Sequence, residues 1–264
     1  MTGRILSFAL AFAVAVSPTA LAQEGQESER GQLLEVSTFA VDPADAPKFE
    51  AAVRQLVEAA GKAGTPYRWA FLQDGSQYTL VYPVPDFAYF DDPMQFVRSF
   101  VGTEGEAMMQ EAMASFETMD FMVTSQEIAE EKADWSYEVE GFDPTTMTAV
   151  HSDIMWVKPG VQEKFEALNK EWAAFFAEID YPYPYTGHQV HFGDTGRVVY
   201  ATFIDDLSAY YGVNNLEKLI EEKSMGARWQ ELNERLGAVV SRWEHGNAAY
   251  RADLSYWPAE GATN

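Results

Sequence analysis

The chain contains no cysteine. That single absence removes disulfides, a thiolate nucleophile, Cys-ligated zinc or iron–sulfur clusters, and a lipid-modified N-terminal Cys. Histidine is scarce, with four in 264 residues, which argues against a metal-rich protein. Basic residues are also few: 18 Lys and Arg face 41 Asp and Glu, for a net charge of −23. So acidic a body repels nucleic-acid phosphates and anionic headgroups, and solubility alone is reason enough for it. The most apolar stretch, residues 5–16, is about a dozen residues long, too short to span a hydrocarbon core of ~30 Å. No Gly-rich phosphate loop, nucleophile elbow or His-Glu-x-x-His pattern occurs, which counts against the common nucleotide enzymes and hydrolases.

What is present is a core and an address. Hydrophobic residues make up 47% of the chain and aromatic ones 14%, enough for two domains of about 110–120 residues. The first residues have the form of a secretory signal: Arg4, the apolar run, then Ala20-Leu21-Ala22 as a small-residue cleavage site. Residues 1–22 are therefore expected to be a signal peptide cleaved after Ala22, and 23–32 a polar, flexible leader. The expectation is an exported chain, periplasmic or secreted, with no membrane span.

The body repeats itself. Val41-Asp42-Pro43 leads to Lys48-Phe49-Glu50-Ala51, and Val157-Lys158-Pro159 leads to Lys164-Phe165-Glu166-Ala167, 116 residues apart (positions 48 and 164). Later landmarks keep the same order: Pro66-Tyr67 with Pro184-Tyr185, Asp74 with Asp194, Asp86 with Asp206, and Ala133-Asp134-x-Ser136-Tyr137 with Ala252-Asp253-x-Ser255-Tyr256. Five landmarks in order indicate a tandem duplication, with repeats at 33–139 and 148–258, a turn-rich linker at 140–144 and a tail at 259–264. In the first repeat, alternation predicts a strand at 34–41. The stripe Phe49, Val53, Leu56, Val57, Ala60 predicts an amphipathic helix ended by Gly61 and Gly64. Two strands flank Asp74-Gly75-Ser76. A helical region at 94–128, whose methionines read as core filler, and a strand at 133–139 complete the unit. The second repeat predicts strands at 150–157, 185–192, 197–204 and 248–257, a helix carrying Phe165, Trp172 and Phe176, and a helical region at 216–244.

Each unit thus reads βαββαβ, the ferredoxin-like order, which covers one sheet face and leaves the other to a partner. Element order, duplication and the Pro-x(4)-Lys-Phe-Glu-Ala helix start resemble the dimeric α+β barrel superfamily, including its NIPSNAP-like and antibiotic-biosynthesis-monooxygenase-like families. The resemblance implies an α+β fold in which two tandem ferredoxin-like repeats form a barrel within one chain. It does not choose a chemistry, because the superfamily hosts oxygenases, haem enzymes, isomerases and plain binders.

Candidate site residues follow from the strand faces. With Trp135, Tyr137, Leu254 and Tyr256 facing the helices, His151 and Asp153 on one strand and Arg251, Asp253 and Ser255 on another point away from them; Glu35 and Ser37 do the same in the first repeat. A satisfied ion-pair network is the bland reading of that group. His151 stands where the first repeat has Glu35, and His191 where it has Phe71. Tyr181-Pro182-Tyr183-Pro184-Tyr185 offers Tyr183 and Tyr185 as an aromatic rim, or simply rings packed over a helix end. The candidate ligand-binding set is therefore His151, Asp153, His191, Arg251, Asp253, Tyr183 and Tyr185. No cofactor is predicted; a metal or haem would need His151, Asp153 and His191 gathered in one place. The first functional reading is an exported binder of a small, partly apolar molecule, monomeric or homodimeric and not an enzyme. The alternatives are a monooxygenase-like or isomerase-like enzyme using His151 and Asp153 for proton transfer, and an envelope-stress or structural protein acting through partners.

Overall fold

In the computed structural model the described residues are 31–92, 94–143, 146–212 and 216–258. The expected signal peptide, most of the leader and the tail lie outside them. The chain forms two compact units: the described residues up to Ile128 together with those from Arg251 onward, and Ala129–Tyr250.

In the first unit, strand β1 (Leu33–Val41) buries every second residue, as a strand does when one face is covered. Helix α1 (Ala46–Ala63) starts with Pro47 in its first turn, where the ring fixes a helical φ and the missing N–H has no partner to lose. It stops at Gly64, whose φ of 62° is the left-handed conformation glycine adopts without strain. Strands β2 (Ala70–Asp74) and β3 (Gln77–Val84) form the expected hairpin. Short α2 (Gln95–Arg98) and longer α3 (Glu106–Phe116) follow, then β4 (Phe121–Tyr137). The strand order is β4-β1-β3-β2, with the first part of β4 held to β1 by Thr124 Oγ1 donating to the Thr38 carbonyl at 3.2 Å. Phe49 anchors this core: its ring lies 4.9 Å from Tyr78, 5.7 Å from Phe116 and 6.0 Å from Phe121. Burying such a ring stabilises by about 1.5–3 kcal/mol before any ring–ring term. The unit also includes the chain's last segment, where Trp69 and Tyr256 exchange backbone hydrogen bonds of 3.0 and 2.9 Å.

The second unit repeats the order. Strand β5 (Ala149–Val157), helix α4 (Gln162–Glu178), strands β6 (Tyr185–Phe192) and β7 (Arg197–Ile204), helices α5 (Leu207–Tyr210), α6 (Leu216–Glu222) and α7 (Gly226–Val239), and strand β8 (Val240–Tyr250) follow in turn. Its strands run β8-β5-β7-β6, and the last part of β4 lies against β6, where Ser136 Oγ accepts the Gly187 N–H at 3.0 Å. In both units an Asp caps the short helical turn after the hairpin: Asp86 accepts from Tyr89 N, and Asp206 from Ser208 N and Ala209 N.

Four expectations need correction. The helical region at 94–128 ends at Phe116, and 121–128 is strand; Phe121 and Val123 turn to the core while Met122 and Thr124 are exposed, a period of two rather than 3.6. The region at 216–244 stops being helical at Val239, and 240–250 pairs along β5 as strand β8. Strand propensity is weak there, with Gly246 and Asn247 in the run, and tertiary pairing overrides it. Residues 252–254, read as strand, form a 3-10 turn.

The fourth correction concerns faces. Glu35 and Ser37 share the inward side of β1 with Phe39, whose ring meets Phe49 of α1 at 6.2 Å. In β5, His151 and Asp153 share a side with Met155, which joins the core containing Phe165 and Leu168 of α4. The polar alternates of both strands therefore lie under the helices rather than away from them. The bulky apolar residues at the ends of the strands, Phe39 with Val41 and Met155, decide the face, and alternation carries the polar residues with them.

Candidate functional site

A cavity of about 200 Å³ lies in the second unit between its sheet and helices α4 and α7. β5 contributes Asp153 and Met155; β6 and β7 contribute Tyr185, Tyr200 and Thr202; α4 contributes Asn169, Trp172 and Phe176; α7 contributes Trp229, Asn233 and Leu236. Rings dominate the wall. Trp229 stands edge-on to Trp172 at 5.2 Å, and Tyr185 edge-on to Tyr200 at 5.9 Å. An apolar enclosure with a few polar groups is the usual form of a small-molecule pocket, and this one is smaller than those that take drug-sized ligands.

Its charged group is Asp153. Oδ1 accepts a hydrogen bond from Trp243 Nε1 at 2.9 Å, and Oδ2 lies 3.5 Å from His151 Nε2. On the other side of the imidazole, Nδ1 is 3.0 Å from Asn247 Oδ1, which also accepts from Tyr211 Oη at 2.8 Å. An amide oxygen can only accept, so Nδ1 carries the proton and Nε2 faces the carboxylate. Burial works against a charged imidazole here, but the bonds to Asp153 and Asn247 outweigh it, and the net effect raises the His151 pKa. The direction of that shift favours the charged imidazole beside Asp153. Burial pushes the tyrosines the other way, Tyr181 up to about 12 and Tyr200 well above its ordinary value, so they stay neutral donors.

Of the residues singled out from sequence, His151, Asp153 and Tyr185 come together here, and Tyr183 packs its ring on Tyr210, a further wall residue, at 5.1 Å. His191 does not join them: its Nε2 bonds to Glu130 Oε2 at 2.7 Å, an oxygen that Lys132 also contacts at 2.8 Å. Arg251 and Asp253 belong to the first unit, where Arg251 binds Glu50 and Asp253, and Arg54 binds both carboxylates as well. Grouping them with His151 assumed that the final segment is a strand beside β5; that place is taken by β8. The trio His151, Asp153 and His191 is not assembled, and no cluster of His, Cys, Asp and Glu among the described residues could hold a metal ion. No helix among them is long and apolar enough to cross a membrane.

Sequence reasoning missed the helical half of the site. Asn169 lies in the buried stripe of α4, four residues after Phe165 and three before Trp172, and is only 3% exposed. An amide in the middle of an apolar stripe is the signal that could have found it.

No protein-family model matches the chain, and no curated protein matches it. Solved structures do. A candidate monooxygenase from Fusobacterium nucleatum subsp. nucleatum ATCC 25586 is 10% identical with a TM-score of 0.53, covering 84% of this chain and 92% of its own. An anthrone oxidase-like protein is 14% identical with a TM-score of 0.51, covering 84% and 91%. A candidate monooxygenase from Lactobacillus acidophilus NCFM is 7% identical with a TM-score of 0.50, covering 86% and 96%. At such identity the likeness is one of fold. That fold is of the α+β class, built on antiparallel strands.

Proposed function

We propose that the second unit binds a small, partly apolar molecule in the cavity beneath α4 and α7. The observation that carries this reading is an aromatic enclosure with one carboxylate, Asp153, in its wall. Strand register supports a site in one unit and not the other: His151 pairs across the sheet with Thr202, while Glu35 pairs with Tyr82. Matching strand orders and matching Asp caps support two tandem ferredoxin-like repeats, and the signal-like first residues support export. The test is native mass spectrometry of the exported chain purified without added ligand, paired with the variant Thr202→Tyr, which puts a ring where the cavity is. A co-purifying small mass that Thr202→Tyr abolishes supports the reading. Intrinsic Trp fluorescence unmoved by any small aromatic probe, in either form, refutes it.

A second reading has its own support. Asp153 is both a cavity wall and the partner of His151, the arrangement of a proton-transfer pair, and two fold neighbours are described as candidate monooxygenases. On this reading Asp153 accepts a proton from the bound molecule and His151 holds the carboxylate in place. Asp153→Asn should then abolish turnover while the molecule still binds; equal loss of both leaves Asp153 a binding group only.

A further inference from the structure

Three hydrogen-bond donors in the wall of the same cavity have no acceptor in the protein: Asn169 Nδ2, Trp172 Nε1 and Tyr200 Oη. Buried donors are almost always paired, because a donor stripped of water and given nothing in return is costly. Here three stand unpaired in one wall. Asn169 and Trp172 are three residues apart on α4 and so on one helix face, and Tyr200 belongs to β7 on the facing sheet. The Asn169 amide is near enough to Tyr200 to ease its ionisation slightly, yet the two do not meet hydrogen-bond geometry. The carboxylate in the wall, by contrast, is engaged by Trp243 and His151. No Lys or Arg lines the cavity, so nothing there would compensate a buried anion.

We infer that the ligand, given the cavity reading above on which this rests, is an uncharged carbonyl compound that offers its acceptor oxygen to Asn169, Trp172 and Tyr200. An ammonium group, which has no lone pair, would leave all three donors unmet, and a hydrocarbon would do the same. A phosphate or carboxylate would be buried without a cation. The donor atoms are closed off from water by the surrounding side chains, so an acceptor reaches them through a small rotation of a ring or amide, the kind of side-chain adjustment common on binding.

The test uses three probes of similar size, acetophenone, ethylbenzene and benzylamine, titrated into the full mature chain and read by intrinsic Trp fluorescence and by calorimetry. Acetophenone should bind at least about tenfold more tightly than ethylbenzene. Tyr200→Phe and Asn169→Leu, singly and together, should shrink that preference towards one. Two different donors are removed because either variant alone could disturb packing, and unchanged near-UV circular dichroism of each variant shows that the fold is kept. If the wild type binds acetophenone and ethylbenzene equally, the carbonyl assignment is overturned and the cavity reading survives. Tightest binding of benzylamine overturns it in favour of a cation held by Asp153. If no probe binds, the cavity reading falls and this inference falls with it.

Discussion

Glu35 sits on β1 of the first unit, 2% exposed, beneath α1. Its Oε1 accepts from Gln126 Nε2 at 2.7 Å and from Ser37 Oγ at 3.4 Å, and its Oε2 has no hydrogen-bond partner. Burial pushes its pKa from 4.5 to about 7, and the bonds from Gln126 and Ser37 only partly oppose the rise. The folded chain therefore holds a proton that the unfolded chain has lost, and the contribution follows directly. Below pH 4.5 both states are protonated and the stabilisation is fully present. As pH rises from about 4.5 to about 7, the unfolded state ionises first and the folded state loses its advantage by about 1.4 kcal/mol per unit. The total is about 3 kcal/mol, and above pH 7 this group adds no further slope.

Glu35→Gln removes the titration but keeps an oxygen for Gln126 and Ser37. Urea denaturation of both proteins at pH 5, 6, 7 and 8 isolates the effect, because every other titrating group is shared. The difference in unfolding free energy, wild type minus variant, should fall by about 2–3 kcal/mol between pH 5 and 7 and then level off. The new amide brings donors with no acceptor waiting, at a cost of about 1–3 kcal/mol. That cost is independent of pH, so it moves the curve without tilting it. A flat difference across the four pH values refutes the reasoning and would mean that the carboxylate is solvated or paired in solution.

Three further outcomes follow from individual contacts. Arg251→Ala should cost about 1–3 kcal/mol at pH 7, because Arg251 hydrogen bonds hold Glu50 and Asp253 each down at about 2. Those lowered values contribute stability above pH 4.5 that is lost as pH falls towards 2, so in acid titration the gap between wild type and variant should close. Asp153→Asn should lower the His151 pKa followed by imidazole proton NMR, since it removes the carboxylate that offsets burial. An unmoved titration would show that Asn247 alone sets it. Gly187→Ala should destabilise by about 1–3 kcal/mol in urea, because its Cβ would stand 2.9 Å from Trp135 Cβ and 3.0 Å from Tyr200 Cε1.

The parts of the fold legible in the sequence are those where local chemistry and tertiary demand agree. Pro47 and Gly64 bound α1, Gly75 with φ 57° sits in the β2–β3 turn, and Phe165 and Leu168 of α4 are buried as their spacing requires. What the sequence concealed is decided by partners distant along the chain. β8 contains Glu244, His245, Gly246 and Asn247, a run with no strand signal, and it is a strand because β5 lies beside it. The functional face was misassigned for a related reason: alternation reveals that His151 and Asp153 share a side but not which side, and Met155 settles that only once α4 is in position. Half of the candidate site was therefore visible as residues and none of it as a cavity. A cavity is the space left when helix and strand residues fail to fill a volume, and no local pattern encodes it.

The two units show what fills that volume. On β1, Glu35 is paired across the sheet with Tyr82, and Ser37 with Leu80; on β5, His151 is paired with Thr202, and Asp153 with Tyr200. Tyr82 is fully buried and accepts a hydrogen bond from Tyr89 Oη at 3.0 Å. Both tyrosines lie near enough for the Glu35 charge to raise their pKa values, and the carboxyl beside them is desolvated. Thr202 is smaller than Tyr82, its counterpart, and it lines the cavity together with Asp153. Tyr82→Thr should therefore open the first unit. Loss of the ring should cost about 3–5 kcal/mol, as large-to-small core changes do. Water admitted beside Glu35 should draw its pKa back towards 4.5. The wild-type fall in stability between pH 4.5 and 7 should then shrink in the variant, measured by the same urea series. A variant that loses the stability but keeps the full pH slope would show that Tyr82 supports the core without sealing the carboxyl.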